Sequence, residues 1–223
     1  MVDVYKTDEE QIEAIKKWWK KDGLSTVAAV LIAAGGYVGW QLFDASQLAK
    51  MEARSERYQA LVELDQKMAA DDSEALKSEA QALIAELREK SDGYGVYAAM
   101  IEAKYAVEAS DLDKAAAALS WAQSQKTDAS VNDLIKLRLA RVYYAQEKYD
   151  DALALLSFED TAAWDVDAYE LEGDIHMAMN QSAKAVVAYE KASTVSANTY
   201  RQRYVEMKLN QAKAAEAVVA SNE

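Results

Sequence analysis

The sequence predicts an all-α protein: a single N-terminal transmembrane helix followed by a tetratricopeptide-like helical-repeat solenoid. Three observations predict it. Residues 24–43 form an uncharged, mostly apolar run of twenty. The 223 residues include no proline, the residue that breaks helix interiors. From Val96 onward, pairs of small residues recur at a near-constant interval.

Residues 1–23 read as an amphipathic leader. Ile12, Ile15 and Trp19 fall at i, i+3 and i+7, one helical stripe. Thr7 precedes acidic residues and suits a helix cap, and Asp22-Gly23 reads as a stop before the apolar run.

The run itself, LSTVAAVLIAAGGYVGWQLF, would be about 30 Å long as a helix, close to the hydrocarbon thickness of a bilayer. Lys16, Lys17, Lys20 and Lys21 stand before it with Trp18 and Trp19, and Tyr37 and Trp40 lie near its far end. Lysines and aromatic rings belong at the two headgroup levels. The leader lysines outnumber Lys50, Arg54 and Arg57 beyond the run, so the positive-inside bias puts the N-terminus in the cytoplasm. The expected organisation is a cytoplasmic leader at 1–23, a transmembrane helix at 24–43 and a domain at 44–223 on the far side of the membrane. A cleaved signal peptide fits less well. Its apolar core is shorter, and Phe43-Asp44-Ala45 puts a bulky residue where a small one is wanted. A buried soluble helix would need apolar neighbours the chain lacks. A helix lying on the lipid surface would need a charged face. Gly35 and Gly39 form a GxxxG pair, which would let another membrane helix approach closely.

Residues 44–70 read as one long helix. Asp71-Asp72-Ser73 breaks it, and a second helix runs to about Lys90, where Ser91-Asp92-Gly93 ends it. Beyond this the chain repeats. Ala103 is followed by Ala115, Ala140 by Ala152 and Gly173 by Ala185, twelve residues apart each time, and the sets are offset by 37 and then 33. A period near 34 with two helices per unit is the tetratricopeptide pattern, in which each unit leaves an apolar face that only its neighbour covers. The small residues mark where the two helices of a pair cross, and Leu119, Leu156 and Tyr189 fill the space toward the next pair. The helices before Val96 read as a degenerate first unit or an N-terminal cap. Residues 200–219 read as a C-terminal cap with Tyr204, Met207 and Leu209 turned inward.

The net charge of −13 would repel phosphate backbones, so the sequence argues against nucleic acid as a partner. One histidine and no cysteine leave too few ligands for a zinc site. No glycine-rich phosphate loop and no nucleophile–base pair is legible, so no cofactor and no enzyme are expected. His176 sits at a repeat position that holds core residues and reads as packed and hydrogen-bonded. What remains is binding. In a tetratricopeptide stack the first helix of each pair lines a groove. That geometry puts Tyr97, Met100 and Lys104 there, then Leu134, Leu137, Arg141 and Tyr144, then Asp167, Glu170, Asp174 and Met177. Tyr, Met and Arg supply large, adaptable contact area.

The leader EEQIEAIKKWWKKDG, the anchor behind it, and the segments YGVYAAMIEAKYAVEASDLDKAAAAL, LIKLRLARVYYAQEKYDDALALL and YVEMKLNQA resemble the YfgM family of bacterial inner-membrane proteins over nearly the whole chain. The segment from Phe158 to Asp165 departs from the pattern. The resemblance implies an ancillary subunit of the SecYEG translocon. It also implies pairing with PpiD, a membrane-anchored periplasmic chaperone, and help in handing translocated proteins to periplasmic chaperones. It further implies a bacterial inner membrane with residues 44–223 as a periplasmic domain: residues 24–43 would dock beside the translocon in the lipid bilayer, and the repeats would hold the chaperone. Two other readings stay open. One is a membrane-anchored regulator whose leader holds a cytoplasmic stress-response regulator, and the other is a scaffold for a different envelope complex.

Overall fold

A computed structural model describes residues 8–71, 73–158, 163–196 and 199–221. Every regular element among them is helical. The chain divides into two units, Met1–Ser55 and Glu56–Glu223.

The first unit holds α1, Asp8–Trp18, a π-helical turn, Trp19–Gly23, and the first part of α2, Leu24–Met68. The expected stop at Asp22-Gly23 is therefore not one. The backbone widens for one turn and continues. Ser25 Oγ and Thr26 Oγ1 both donate to the Asp22 carbonyl, at 2.8 and 2.9 Å, which replaces the bonding that a change of helical register gives up. Trp19 lies over Gly23, so a Cβ there would meet its ring at 2.8 Å. Thr7 lies outside the described residues. One described helix is long and apolar enough to cross a membrane, and none of the described residues covers its apolar window.

The second unit is a stack of helix pairs. The last turns of α2 and α3, Glu74–Arg88, form the first pair and bury Leu61, Leu64, Ala80, Ile84 and Leu87 with Ala98 of the next helix. The following pairs are α4, Gly93–Glu108, with α5, Leu112–Gln123; α6, Ala129–Ala145, with α7, Tyr149–Ala154; and α8, Asp165–Ala178, with α9, Ser182–Val195. The last helix, α10, Thr199–Ser221, packs on α9. This is the degenerate first pair, three repeats and terminal helix read from the sequence.

The small residues do what their spacing implied. Ala103, Ala115, Ala140, Ala152 and Ala185 are buried, and at Gly173 a Cβ would meet the Tyr189 ring at 2.4 Å. Leu119 and Tyr189 are buried beside them, and Leu156 packs on the third pair's cluster. The turn within each repeat is the same. Ser110, Glu147 and Asn180 have φ of 61°, 60° and 58°, and the next N–H bonds a carbonyl five residues back: Asp111 to Ala106, Lys148 to Tyr143 and Gln181 to His176, at 2.8, 2.9 and 2.8 Å. This is the Schellman close of a helix, repeated at the offsets of the small residues. Aspartates open α4, α5 and α6. Asp92, Asp111 and Asp128 each accept at 3.0 Å from an N–H three residues on, which satisfies a donor the helix start leaves free.

Two expectations need correction or limit. Tyr204 and Met207 do not face inward on α10. Val205, Ala212 and part of Leu209 do, because that register lays them against Tyr189 and Ala192 and leaves Tyr204 and Met207 exposed. The departure at Phe158 to Asp165 lies partly outside the described residues. Within them, Phe158 and Trp164 pack against Leu137, Ala140 and Leu171.

Candidate binding face

The first helices of the pairs are tied to one another by charge. Lys104 on α4 reaches Asp65 on α2 at 2.6 Å. Arg141 on α6 reaches Asp167 on α8 at 2.8 Å. Arg201 on α10 meets Asp167 at 2.9 Å and Glu170 at 3.0 Å. Lys208 meets Glu170 at 2.7 Å and both oxygens of Asp174 at 2.8 and 2.7 Å. Asp174 also accepts from the Tyr189 hydroxyl at 2.6 Å. The result is a continuous ladder from α6 through α8 to α10, with charge-assisted bonds that are each worth more than neutral ones.

Electrostatics follow from it. Burial pushes the Tyr189 phenol up, and its bond to Asp174 adds to that. Burial alone would lower Lys208, but bonds and charge from Asp174 and Glu170 outweigh it and raise its pKa. Arg201 is raised in the same way, its burial offset by Asp167 and Glu170. Tyr144 is raised by burial, then by Asp174 and Tyr149, and its ring lies 6.0 Å from that of Tyr149. Arg138, one turn before Arg141, is lowered by burial and by Arg141.

The residues expected on this face separate into three groups. Tyr97 is exposed and stacks on Tyr58 at 5.9 Å, and Lys104 and Arg141 are half exposed within their ion pairs. Leu134, Tyr144 and Met177 are half-buried against the core clusters. Asp167, Glu170 and Asp174 are occupied by the ladder. Met100 and Leu137 lie in the core itself, because neighbouring helices cover them: Met100 sits in the cluster shared with α5 and α6, and Leu137 in the one shared with α7 and α8. Gly35 and Gly39 have open space where a Cβ would stand. His176 is buried, as expected, with Nδ1 at 3.0 Å from Gln181 Oε1.

Sequence reading missed Asp65, Arg201 and Lys208. The signal was present for two of them: Arg201 and Lys208 follow Asp167 and Asp174 by 34 residues each, one repeat period. It also missed a second depression of about 820 Å³ along α3, lined by Lys77, Arg88, Glu102, Tyr105 and Trp121 among others. There the Arg88 guanidinium pairs with Glu102 and lies 4.5 Å over the Trp121 ring. The buried Tyr105 hydroxyl makes no hydrogen bond among the described residues, and burial with the nearby Asp65 carboxylate pushes its pKa up.

Stacked pairs with buried small residues at the crossings, closed by the same left-handed turn, define a tetratricopeptide-like repeat protein. A family model described as a tetratricopeptide repeat-like domain matches residues 16–214. Proteins named ancillary SecYEG translocon subunit are similar over most of their length. The one from Aggregatibacter actinomycetemcomitans is 30% identical over 91% of this chain and 96% of its own. The one from Haemophilus influenzae is 29% identical over the same shares, and the one from Escherichia coli is 24% identical over 94% and 98%. No solved structure matches. The chain belongs to this tetratricopeptide-like family of ancillary translocon subunits, the YfgM family.

Proposed function

We propose that this chain is a non-enzymatic, single-span accessory of the Sec translocon. In this reading residues 24–43 cross the inner membrane, the leader lies in the cytoplasm and the repeat domain lies in the periplasm. Gly35 and Gly39 let the span dock beside a translocon helix. The open stripe of the first helices, from Tyr97 and Lys104 through Leu134, Arg141 and Tyr144 to Met177, takes a membrane-anchored periplasmic chaperone of the PpiD kind. Translocated proteins then pass to chaperones held at the exit. The observation that carries this is the combination of relatives named for the translocon with an uncovered apolar helix joined to a repeat domain.

Photo-crosslinking from Tyr97, Arg141 and Gly39 in intact membranes tests it. The expected products are a periplasmic chaperone from the first two positions and a translocon subunit from Gly39. Cytoplasmic proteins captured at Tyr97 would reverse the topology and favour a regulator. Loss of the chaperone product in a Tyr97→Ala, Arg141→Glu variant that remains folded would place the contact on this stripe.

A further inference from the structure

The leader carries an exposed apolar stripe. On α1, Ile12 and Ile15 are 51% and 64% exposed, and Trp19, continuing their stripe into the π-helical turn, is 58% exposed. Glu10 and Glu13 lie on the other side of the helix by their spacing. Lys16, Lys17, Lys20 and Lys21 crowd the two turns nearest the span, where their long stems can carry the charge up to headgroups beside the apolar stripe.

We propose that α1 lies in the plane of the membrane on the side of the N-terminus, with Ile12, Ile15 and Trp19 among the acyl chains and the lysines on anionic phospholipid headgroups. Two observations select lipid over a protein. The stripe is continuous with the span, which holds it within a few residues of the bilayer surface. The basic cluster also sits at the depth where anionic headgroups are found. The helix continues through the π-helical turn in the structure, so lying in the plane requires a bend, and the proposal places it at that turn. Such turns are among the few places where a helix kinks sharply. Here Ser25 and Thr26 satisfy the Asp22 carbonyl, so the backbone can turn at membrane depth without leaving that group unbonded. Trp19 packed on Gly23 fixes where the turn falls.

The proposal rests on residues 24–43 spanning the bilayer, and its test separates the two. The chain has no cysteine, so single nitroxide labels can be placed at Ile12, Ile15, Glu10, Glu13 and Val30 through cysteine substitution. The full chain is then reconstituted in phosphatidylcholine vesicles with and without phosphatidylglycerol. Collision with oxygen is compared with collision with a water-soluble nickel chelate. A label at Val30 that favours oxygen certifies the span. With it, the expected result in anionic vesicles is an oxygen preference several-fold higher at 12 and 15 than at 10 and 13. That contrast should collapse when Lys16, Lys17, Lys20 and Lys21 are all changed to Gln. Equal, water-like accessibility at all four leader sites overturns the in-plane helix. A contrast of the same size without phosphatidylglycerol, or without the lysines, overturns the anionic headgroup contact.

Discussion

Lys208 on the last helix holds both carboxylate oxygens of Asp174, at 2.8 and 2.7 Å, while the Tyr189 hydroxyl donates to the same carboxylate at 2.6 Å. One acid thus ties α8 to both α9 and α10. Its side chain is mostly withdrawn from water, as is that of Lys208. Removing one partner of such a pair leaves the other desolvated and unbonded, which costs more than the pair contributes.

Lys208→Met should therefore lower stability by about 2 kcal/mol, and Asp174→Ala by more, since it also strands the Tyr189 hydroxyl and Lys208 together. Urea unfolding of the domain reads the total. Hydrogen exchange should show α10 losing protection before α4 to α6. Equal loss in all helices would mean that α10 is not held by this contact.

Gly173→Ala should cost about 2–3 kcal/mol, because the added methyl must push the Tyr189 ring out of the place where the fourth pair crosses. Combining it with Tyr189→Leu should cost less than the sum of the two single changes, since the ring that clashes is then absent. A strictly additive double variant would show that the helices, not the ring, absorb the methyl.

Glu147 occupies a left-handed turn with φ of 60°, a conformation that glycine takes without the Cβ penalty. Glu147→Gly should raise stability by about 0.5–1 kcal/mol, the relief of that strain less the added freedom of the unfolded chain. Asn180→Gly should gain less, because asparagine tolerates this region. A lower melting temperature for Glu147→Gly would contradict the turn geometry.

Alkaline pH should loosen the C-terminal repeat. Tyr189 and Lys208 both release their protons later in the folded chain than their ordinary values of 10.0 and 10.5. The unfolded chain loses them first as pH rises. Their contribution is whole below about pH 10 and falls above it. The urea midpoint should hold up to about pH 10 and drop as pH rises above it, as a trend set by these groups. Tyr189→Phe should flatten that drop. An unchanged slope would remove Tyr189 from the account.

The sequence made the architecture legible because it is written in a period. Small residues at Ala103, Ala140 and Gly173, each with a partner twelve positions on, located every crossing without a single contact being known. The uncharged run marked the described helix that is long and apolar enough to cross a membrane. The exposed stripe of the first helices was legible only in part. Met100 and Leu137 share its spacing, yet the neighbouring helices bury them. A helix turns 100° per residue, so a small error in where a pair leans moves a side chain from groove to interior. The register of α10 failed for the same reason, and Tyr204 and Met207 exchanged places with Val205 and Ala212. The ion ladder was hidden for a different reason. Charged residues are usually solvated faces, and only the match of Asp167 with Arg201 and of Asp174 with Lys208, one period apart, separates these from the rest.

The recurring left-handed turn carries one more consequence. From each crossing residue to its turn is seven positions, and from the turn to the partner crossing is five, at Ser110, Glu147 and Asn180 alike. All the difference between the offsets of 37 and 33 falls between repeats instead. Each hairpin is thus a cassette of invariant length joined by elastic connectors. Extra residues spliced between Gln123 and Ala129 should leave the architecture intact, whereas a single residue added beside Ser110 would slide one helix past its mate and expose the alanines that seal it.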